Sequence, residues 1–256
     1  MGKRKKKKKL KRSVKISILV IILIVFALVG KTTYEYHKSL NQKLEYEEQE
    51  KEYYTLSDFG LINEKTGNDQ NNNGKDDIED ILEGEQKMIK INPKYISKYY
   101  ENGYAPETEG VCTDLVWYCF NNAGYDLKKL ISKDIENTRK KKIYYIDKVD
   151  QNIDFRKVGN QETFFMRYGE TLGTDMYDIG DFMPGDIVTF DNSDHIAMIG
   201  EKYNKNGVPY LVQNRDESQK QTEENRLEKT DMKITGHYRL KYTEDLKKLI
   251  EQTNKN

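Results

Sequence analysis

Apolar residues are distributed along this 256-residue chain in three patterns. The first is an unbroken block, "ISILVIILIVFALVG" at residues 16–30, without a charge in it. Fifteen residues fall short of the roughly 20 that cross a ~30 Å hydrocarbon core. Lys15 and Lys31 at its ends extend it by snorkelling. An uncharged apolar run behind a basic start is the pattern of an export signal whose positive end is held in the cytoplasm. A cleaved signal peptide has an apolar region of this length too. Cleavage wants small residues at alternate positions, however, and Ala27-Leu28-Val29 and Leu28-Val29-Gly30 match that poorly. The block therefore predicts an uncleaved single-pass anchor over 16–30 behind a cytoplasmic basic tail, 1–15, with everything later extracytoplasmic. No cysteine stands near its end, which excludes a lipoprotein.

The second pattern is polar with sparse apolar points. Residues 31–57 are rich in Glu, Lys and Tyr and lack Pro and Gly, with Tyr36, Leu40 and Leu44 four apart. This predicts a solvated helical stalk, a spacer. Residues 58–89 follow as a separate segment built around "NDQNNNGKDDIEDILEGEQK". Oxygen donors fall there at positions 1, 3 and 5 (Asp69, Asn71, Asn73), with Gly74 at 6, the Lys75 carbonyl at 7, Asp77 at 9 and Asp80 at 12. That spacing wraps oxygens around a hard cation and predicts a Ca2+ loop over 69–80, with the weak affinity of extracellular modules, about 0.1–1 mM. It resembles the loops of dockerin modules and thrombospondin-type calcium repeats. Asp76 at position 8 and the neutral Asn donors depart from that ladder, and a solvated Asn-rich linker is the alternative. Ile78, Ile81 and Leu82 begin a short helix beyond the loop.

The third pattern combines helical and strand periods over residues 90–242, the predicted main domain. "CTDLVWYCFNNAG" puts Leu115, Val116, Cys119, Phe120 and Ala123 on one helical face, with Gly124 as the stop. Residues 182–217 alternate as three strands, "DIVTF", "HIAMIGEKY" and "PYLVQN", with a Pro184-Gly185 entry turn and an Asn206-Gly207 hairpin. Alternation puts His195, Ala197 and Ile199 on one face, and Ile196, Met198 and Gly200 on the other. Residues 243–256 form a polar helix or tail.

Charge and cysteine usage sharpen this outline. Formal net charge is zero, yet residues 1–15 hold ten Lys or Arg and no acid, leaving 33 bases against 43 acids over 31–256. A body of net charge −10 excludes a general nucleic-acid binder, which needs clustered positive charge. The two cysteines, Cys112 and Cys119, are seven residues apart on one helix, roughly 10 Å along its axis. A disulfide needs Cα atoms within ~7 Å, so they do not pair with each other. Cys119 packs on the apolar face as a small hydrophobe. Cys112 falls in the first turn, where free N–H groups and the helix dipole favour a thiolate and offer donors to an oxyanion. Position alone leaves burial and catalysis equally open. A helix-borne Cys, a His opening a strand and a polar side chain on the next strand together form the layout of a papain-like thiol hydrolase.

Gly110-Val111-Cys112-Thr113-Asp114-Leu115-Val116-Trp117 resembles the nucleophile helix of the bacterial domain-of-unknown-function family 1287. So do "NIDFRKVGNQETFFMRYG" (152–169), "PGDIVTF" (184–190), "HIAMIG" (195–200) and "KITGHYRL" (233–240), in order over about 90–240. That family is similar to NlpC-type and CHAP-type wall peptidases. The resemblance implies an α+β, papain-like fold with the catalytic Cys on a helix packed against an antiparallel sheet. It also implies amide cleavage in peptidoglycan or wall peptides, with no cofactor for catalysis. Cys112 is then the nucleophile, His195 the base and Gln213 the residue orienting the ring, with Asn214 as the alternative third residue. A non-catalytic wall-binding or signalling module with the same fold is the competing class. Two departures stand out: Gln213 replaces the relatives' His, and Phe155 in "NIDFR" stands where a His is expected. His237 is the other candidate base, rated structural or substrate-side; Asp114 and Trp117 are candidates to shape the cleft.

Overall fold

An apolar run followed by a Glu- and Lys-rich one, neither broken by proline, has nothing to stop a helix between them. In the computed structural model, which describes residues 12–50 and 52–255, a single helix α1 (Arg12–Glu50) covers the apolar run and the expected stalk as far as Glu50. The last residues of that expected stalk are not helical spacer, since Tyr54 pairs with Tyr203 and Leu56 is buried with Met183 and Tyr203. The basic run at residues 1–11 lies outside the described residues. Within α1, Ile16–Asn41 is long and apolar enough to cross a membrane, and no part of its most apolar window is buried inside the chain. Its 26 residues span about 39 Å. The Thr32 and Thr33 hydroxyls donate back to the Val29 and Gly30 carbonyls, which satisfies them within the helix beyond residue 30.

The rest of the described chain, from Tyr53, is a second unit. It is a mixed α+β body. Its elements are α2 (Asp77–Ile91), β1 (Lys94–Tyr95), β2 (Glu109–Gly110), α3 (Cys112–Asn122), α4 (Leu127–Thr138), α5 (Val158–Tyr168), β3 (Gly169–Thr171), β4 (Ile187–Phe190), β5 (His195–Tyr203), β6 (Pro209–Val212), β7 (Glu223–Glu224), β8 (Ile234–Leu240) and α6 (Glu244–Asn254). Six strands form one antiparallel sheet in the order β3-β8-β4-β5-β6-β7. The alternation along β5 separates two cores. Ile196 and Met198 join Ile187, Val212, Tyr238 and Leu240 beneath the helices. Ala197 and Ile199 join Val188, Phe190 and Leu211 on the opposite face.

A further expected boundary shifts. Residues 58–89 are not a separate segment: α2 is a 15-residue helix whose Ile78, Ile81 and Met88 lie in the main core. Asp76 starts it by accepting from the Ile78 N–H. Gly84 lets α2 cross α3 at backbone contact, since a Cβ there would lie 2.8 Å from Cys119 Cα. At the C-terminal end the expected helix is present as α6, which buries Leu246, Leu249 and Ile250 in the same core and is started by the Thr243 hydroxyl. Apolar i, i+3, i+4 positions in a charged sequence were enough to dock both helices.

Candidate functional site

Cys112 is the first residue of α3, and everything around that helix start is fixed by long-range bonds. The Asp114 carboxylate accepts from the Val111 N–H at 2.8 Å and pairs with both Arg156 Nε (2.7 Å) and Nη2 (2.8 Å). Both side chains of this pair are 4% exposed, so Asp114 holds the helix start rather than lining a cleft. The Thr113 hydroxyl donates to the Arg156 carbonyl, and Gln161 donates to the Thr113 carbonyl. Gly110 has φ +150°, and a Cβ there would sit 2.9 Å from the Asp114 side chain, so the Gly-Val-Cys approach admits no larger residue without a shift. The Gly110 carbonyl accepts from the Ile96 N–H and from Asn214 Nδ2, each at 2.9 Å.

His195 opens β5 and is 6% exposed. Its Nε2 lies 2.8 Å from Gln213 Oε1, and Gln213 Nε2 donates to Glu224 Oε2 at 2.9 Å. Burial first, then the Arg215 charge, lower the imidazole pKa from its ordinary value, against the opposing effects of Gln213 and Asp194. A ring of lowered pKa is neutral at pH 7 and available as a base. Cys112 is half-buried, and burial pushes its thiol up to about 11. Backbone N–H groups of Ile196, Thr113 and Cys112 itself pull the other way, and the nearby Asp114 charge adds to the rise. Desolvation therefore outweighs the first-turn stabilisation that the helix position predicts. The Cys112 thiol is hydrogen-bonded to the N–H of Ile196, the residue after His195, and among the described residues no direct hydrogen bond joins thiol and ring. A cavity of about 350 Å³ lies alongside, lined by Lys94, Tyr95, Ile96, Asn214, Asp216 and Gln219, among others. Tyr95 is close enough for Cys112 to raise its hydroxyl pKa, second to burial.

The structure thus brings Cys112, His195 and Gln213 to one region. Asn214 plays a different part, since its amide braces the Gly110 carbonyl instead of the imidazole, as opposite-face alternation from Gln213 requires. His237 is fully buried between the Gly173 carbonyl at Nδ1 and Asp186 at Nε2, stacked on Phe182. Arg239 grips the same Asp186 with two nitrogens. His237 is therefore a structural residue. Phe155 is core, and Trp117 packs against Tyr104 while its Nε1 donates to Asp126.

The 69–80 loop is held by its own donors. Asp69 accepts from the Asn73 and Gly74 N–H groups, and Asn71 and Asn73 both donate to Asp80. The Lys75 N–H donates to Asn73. Asp77 departs from the predicted ladder. Its carboxylate is turned inward and taken up by Gln70 N, Asn68 Nδ2, Thr66 Oγ1 and the Tyr125 hydroxyl. A full six-donor ladder does not fit, although Asp69, Asn71, Asn73 and Asp80 remain gathered. No cluster of three or more His, Cys, Asp or Glu among the described residues is arranged to hold a metal ion.

Sequence reasoning missed Glu224, because an acid inside "QTEENRLEK" looks like any solvated charge until β7 pairs with β6. It also missed Arg156 as the partner of Asp114, although each stands within a motif that resembles the family.

Comparison with known proteins places these features in a wider group. A curated relative, the uncharacterized protein YijF of Escherichia coli (strain K12), is 31% identical over 143 residues, covering 52% of this chain and 69% of that protein. No solved structure matches. The family model for DUF1287, a domain of unknown function, matches residues 81–240, which take in most of α2, the Cys112 helix, the His195 strand and the Asp186–His237–Arg239 cluster. The chain belongs to that family.

Proposed function

We propose that this chain is a membrane-anchored, extracytoplasmic cysteine hydrolase of papain-like (NlpC/CHAP-like) fold that cleaves amide bonds in peptidoglycan. The observation that carries the reading is the buried His195, bonded through Nε2 to Gln213, with the Cys112 thiol hydrogen-bonded to the N–H of the next residue, Ile196. Nδ1 is the nitrogen left to take the Cys112 proton. The thiolate attacks the amide carbonyl, and backbone N–H groups at the start of α3 hold the oxyanion. The imidazolium then protonates the leaving amine, and water releases the acyl group from sulfur. Hydrogen bonds of this kind are often long in unliganded sites and tighten with substrate. The anchor is Ile16–Asn41, with the N-terminus cytoplasmic. Ca2+ enters the proposal only as a stabiliser at Asp69, Asn71, Asn73 and Asp80, with no part in the chemistry.

Purified muropeptides incubated with the protein and followed by mass spectrometry test this. Wild type is expected to release cleaved stem peptides, and Cys112→Ser and His195→Ala to release none. A second reading, a non-catalytic wall-binding module, is favoured by the raised thiol pKa and the absence of a direct thiol–imidazole bond among the described residues. Binding to wall material that is equal in wild type and both variants, with no cleavage by any, would establish it instead.

A further inference from the structure

We propose that Glu224 is a positioning residue: through the Gln213 amide it fixes His195 in the tautomer whose Nδ1 takes the Cys112 proton. This rests on the hydrolase reading above. An amide side chain presents a donor at one end and an acceptor at the other, with nearly the same shape, so its neighbours decide which way it points. Gln213 has no exposure and is pinned at its backbone. Its N–H donates to the Thr222 carbonyl at 2.9 Å, and its carbonyl accepts from Gln219 Nε2 at 2.6 Å. Glu224 pairs with Leu211, two residues before Gln213, so alternation places all three on one face of the sheet. A carboxylate only accepts, so the Gln213 NH2 must face Glu224. The Gln213 oxygen is thereby turned to the ring 2.8 Å away, and an oxygen there requires a proton on His195 Nε2. A neutral imidazole carries one ring proton, which leaves Nδ1 bare. The flipped amide would set its oxygen against the Glu224 carboxylate, acceptor against acceptor. Glu224 also places a negative charge one amide away from the imidazolium, a charge that Gln213 itself lacks.

Only three histidines, His37, His195 and His237, occur in the chain, so their ring nitrogens can be followed individually in the detergent-solubilised full-length protein labelled with ¹⁵N-histidine. Long-range ¹H–¹⁵N spectra at about pH 7.5, where an imidazole of lowered pKa is neutral, are expected to show His195 protonated at Nε2 alone. In Glu224→Leu a population protonated at Nδ1 is expected, with kcat on muropeptides down about tenfold and KM unchanged. That is less than the ~10²–10⁴ lost with the base itself. Glu224→Gln offers a donor as well as an acceptor, so it no longer dictates the Gln213 orientation and is expected to admit an Nδ1-protonated population between those of wild type and Glu224→Leu. The His237 signals, set by Gly173 and Asp186, report whether each variant is folded. Wild-type His195 protonated at Nδ1 overturns the inference without any variant, as does a folded Glu224→Leu with its tautomer unchanged. Turnover that survives His195→Ala overturns His195 as the base, and no cleavage by wild type overturns the hydrolase reading; neither outcome alters the tautomer result, which the spectra read by themselves.

Discussion

At Cys112 two effects of known sign oppose each other. Backbone N–H groups and the helix start favour the thiolate, while burial disfavours it, and burial wins with a thiol near 11. Cys119, fully buried on the same helix, is raised well above the ordinary thiol range by that burial. Iodoacetamide labelling of Cys112 in the resting protein is therefore expected to be slow at pH 7 and to climb about tenfold per pH unit through pH 9, because only the thiolate reacts. Cys119 is expected to stay unlabelled. A rate that levels off below about pH 8 would show instead a thiolate already paired with imidazolium, reversing the order of proton transfer and attack given above. Two residues from Cys112, the Asp114–Arg156 pair is buried and bidentate. Removing one partner of such a pair strands the other charge, at about 3–5 kcal/mol. Arg156→Met is expected to lose that much in urea unfolding and to loosen the start of α3. A loss under about 1 kcal/mol, the scale of an exposed pair, would show that Asp114 holds the helix without its arginine.

Between elements, the backbone approach at Gly84 sets up another contest. Alanine in a helix interior gains about 0.8–1 kcal/mol over glycine. Here its Cβ would meet Cys119 Cα at 2.8 Å, a backbone atom that moves only if the two helices part. Gly84→Ala is expected to destabilise by about 1–3 kcal/mol, as overpacking does, and unchanged or higher stability by calorimetry would count against so tight a crossing. The loop preceding α2 carries a calcium test. About 5 mM calcium is expected to raise the melting temperature, because a ligand bound by the folded state alone stabilises it. Asp69→Ala is expected to remove the shift, while no shift in wild type would leave the loop as a hydrogen-bonded brace between α2 and α3. That brace is visible in Asn71 donating to the Asn122 carbonyl and Asn122 to the Asp80 carbonyl. Local periodicity made α3, β4, β5 and β6 legible, with His195 at the first position of its strand. It did not show that Asp186 of the Pro-Gly-Asp turn serves His237 and Arg239 some fifty residues later, or that Asp114 serves Arg156. Those pairings depend on which strands and helices become neighbours, and spacing along the chain carries no such information. The same limit explains Asp77, whose place in a ligand ladder was sound by position, but whose partner Tyr125 arrives from beyond α3.

Across the whole molecule, acid dominates after the first fifteen residues, and most carboxylates are solvated or paired. Glu85 is neither. It is fully buried on α2, both its oxygens lack hydrogen-bond partners, and the acids Glu201, Glu223 and Asp186 and the thiol of Cys119 act on it or feel its charge. Burial first, then those carboxylates, raise its pKa well above the ordinary range, so the folded protein holds it protonated where the unfolded chain would ionise it. The sign follows from that difference. Below the unfolded pKa of about 4.3 both states are protonated, and the contribution of Glu85 is fully present. As pH rises from there towards the raised folded pKa, the unfolded state releases a proton that the folded state keeps, and stability falls. Glu85→Gln has the same shape and no proton to lose. The variant is therefore expected to gain on wild type steadily from about pH 4 to pH 8, by about 1 kcal/mol or more, or roughly 2–4 °C in melting temperature for a domain of this size. Paired melting curves across that range isolate the effect, because the contributions of the groups other than residue 85 are present in both proteins. A difference that stays flat with pH would mean that Glu85 ionises alike in both states, and that α2 docks on the sheet without holding a proton.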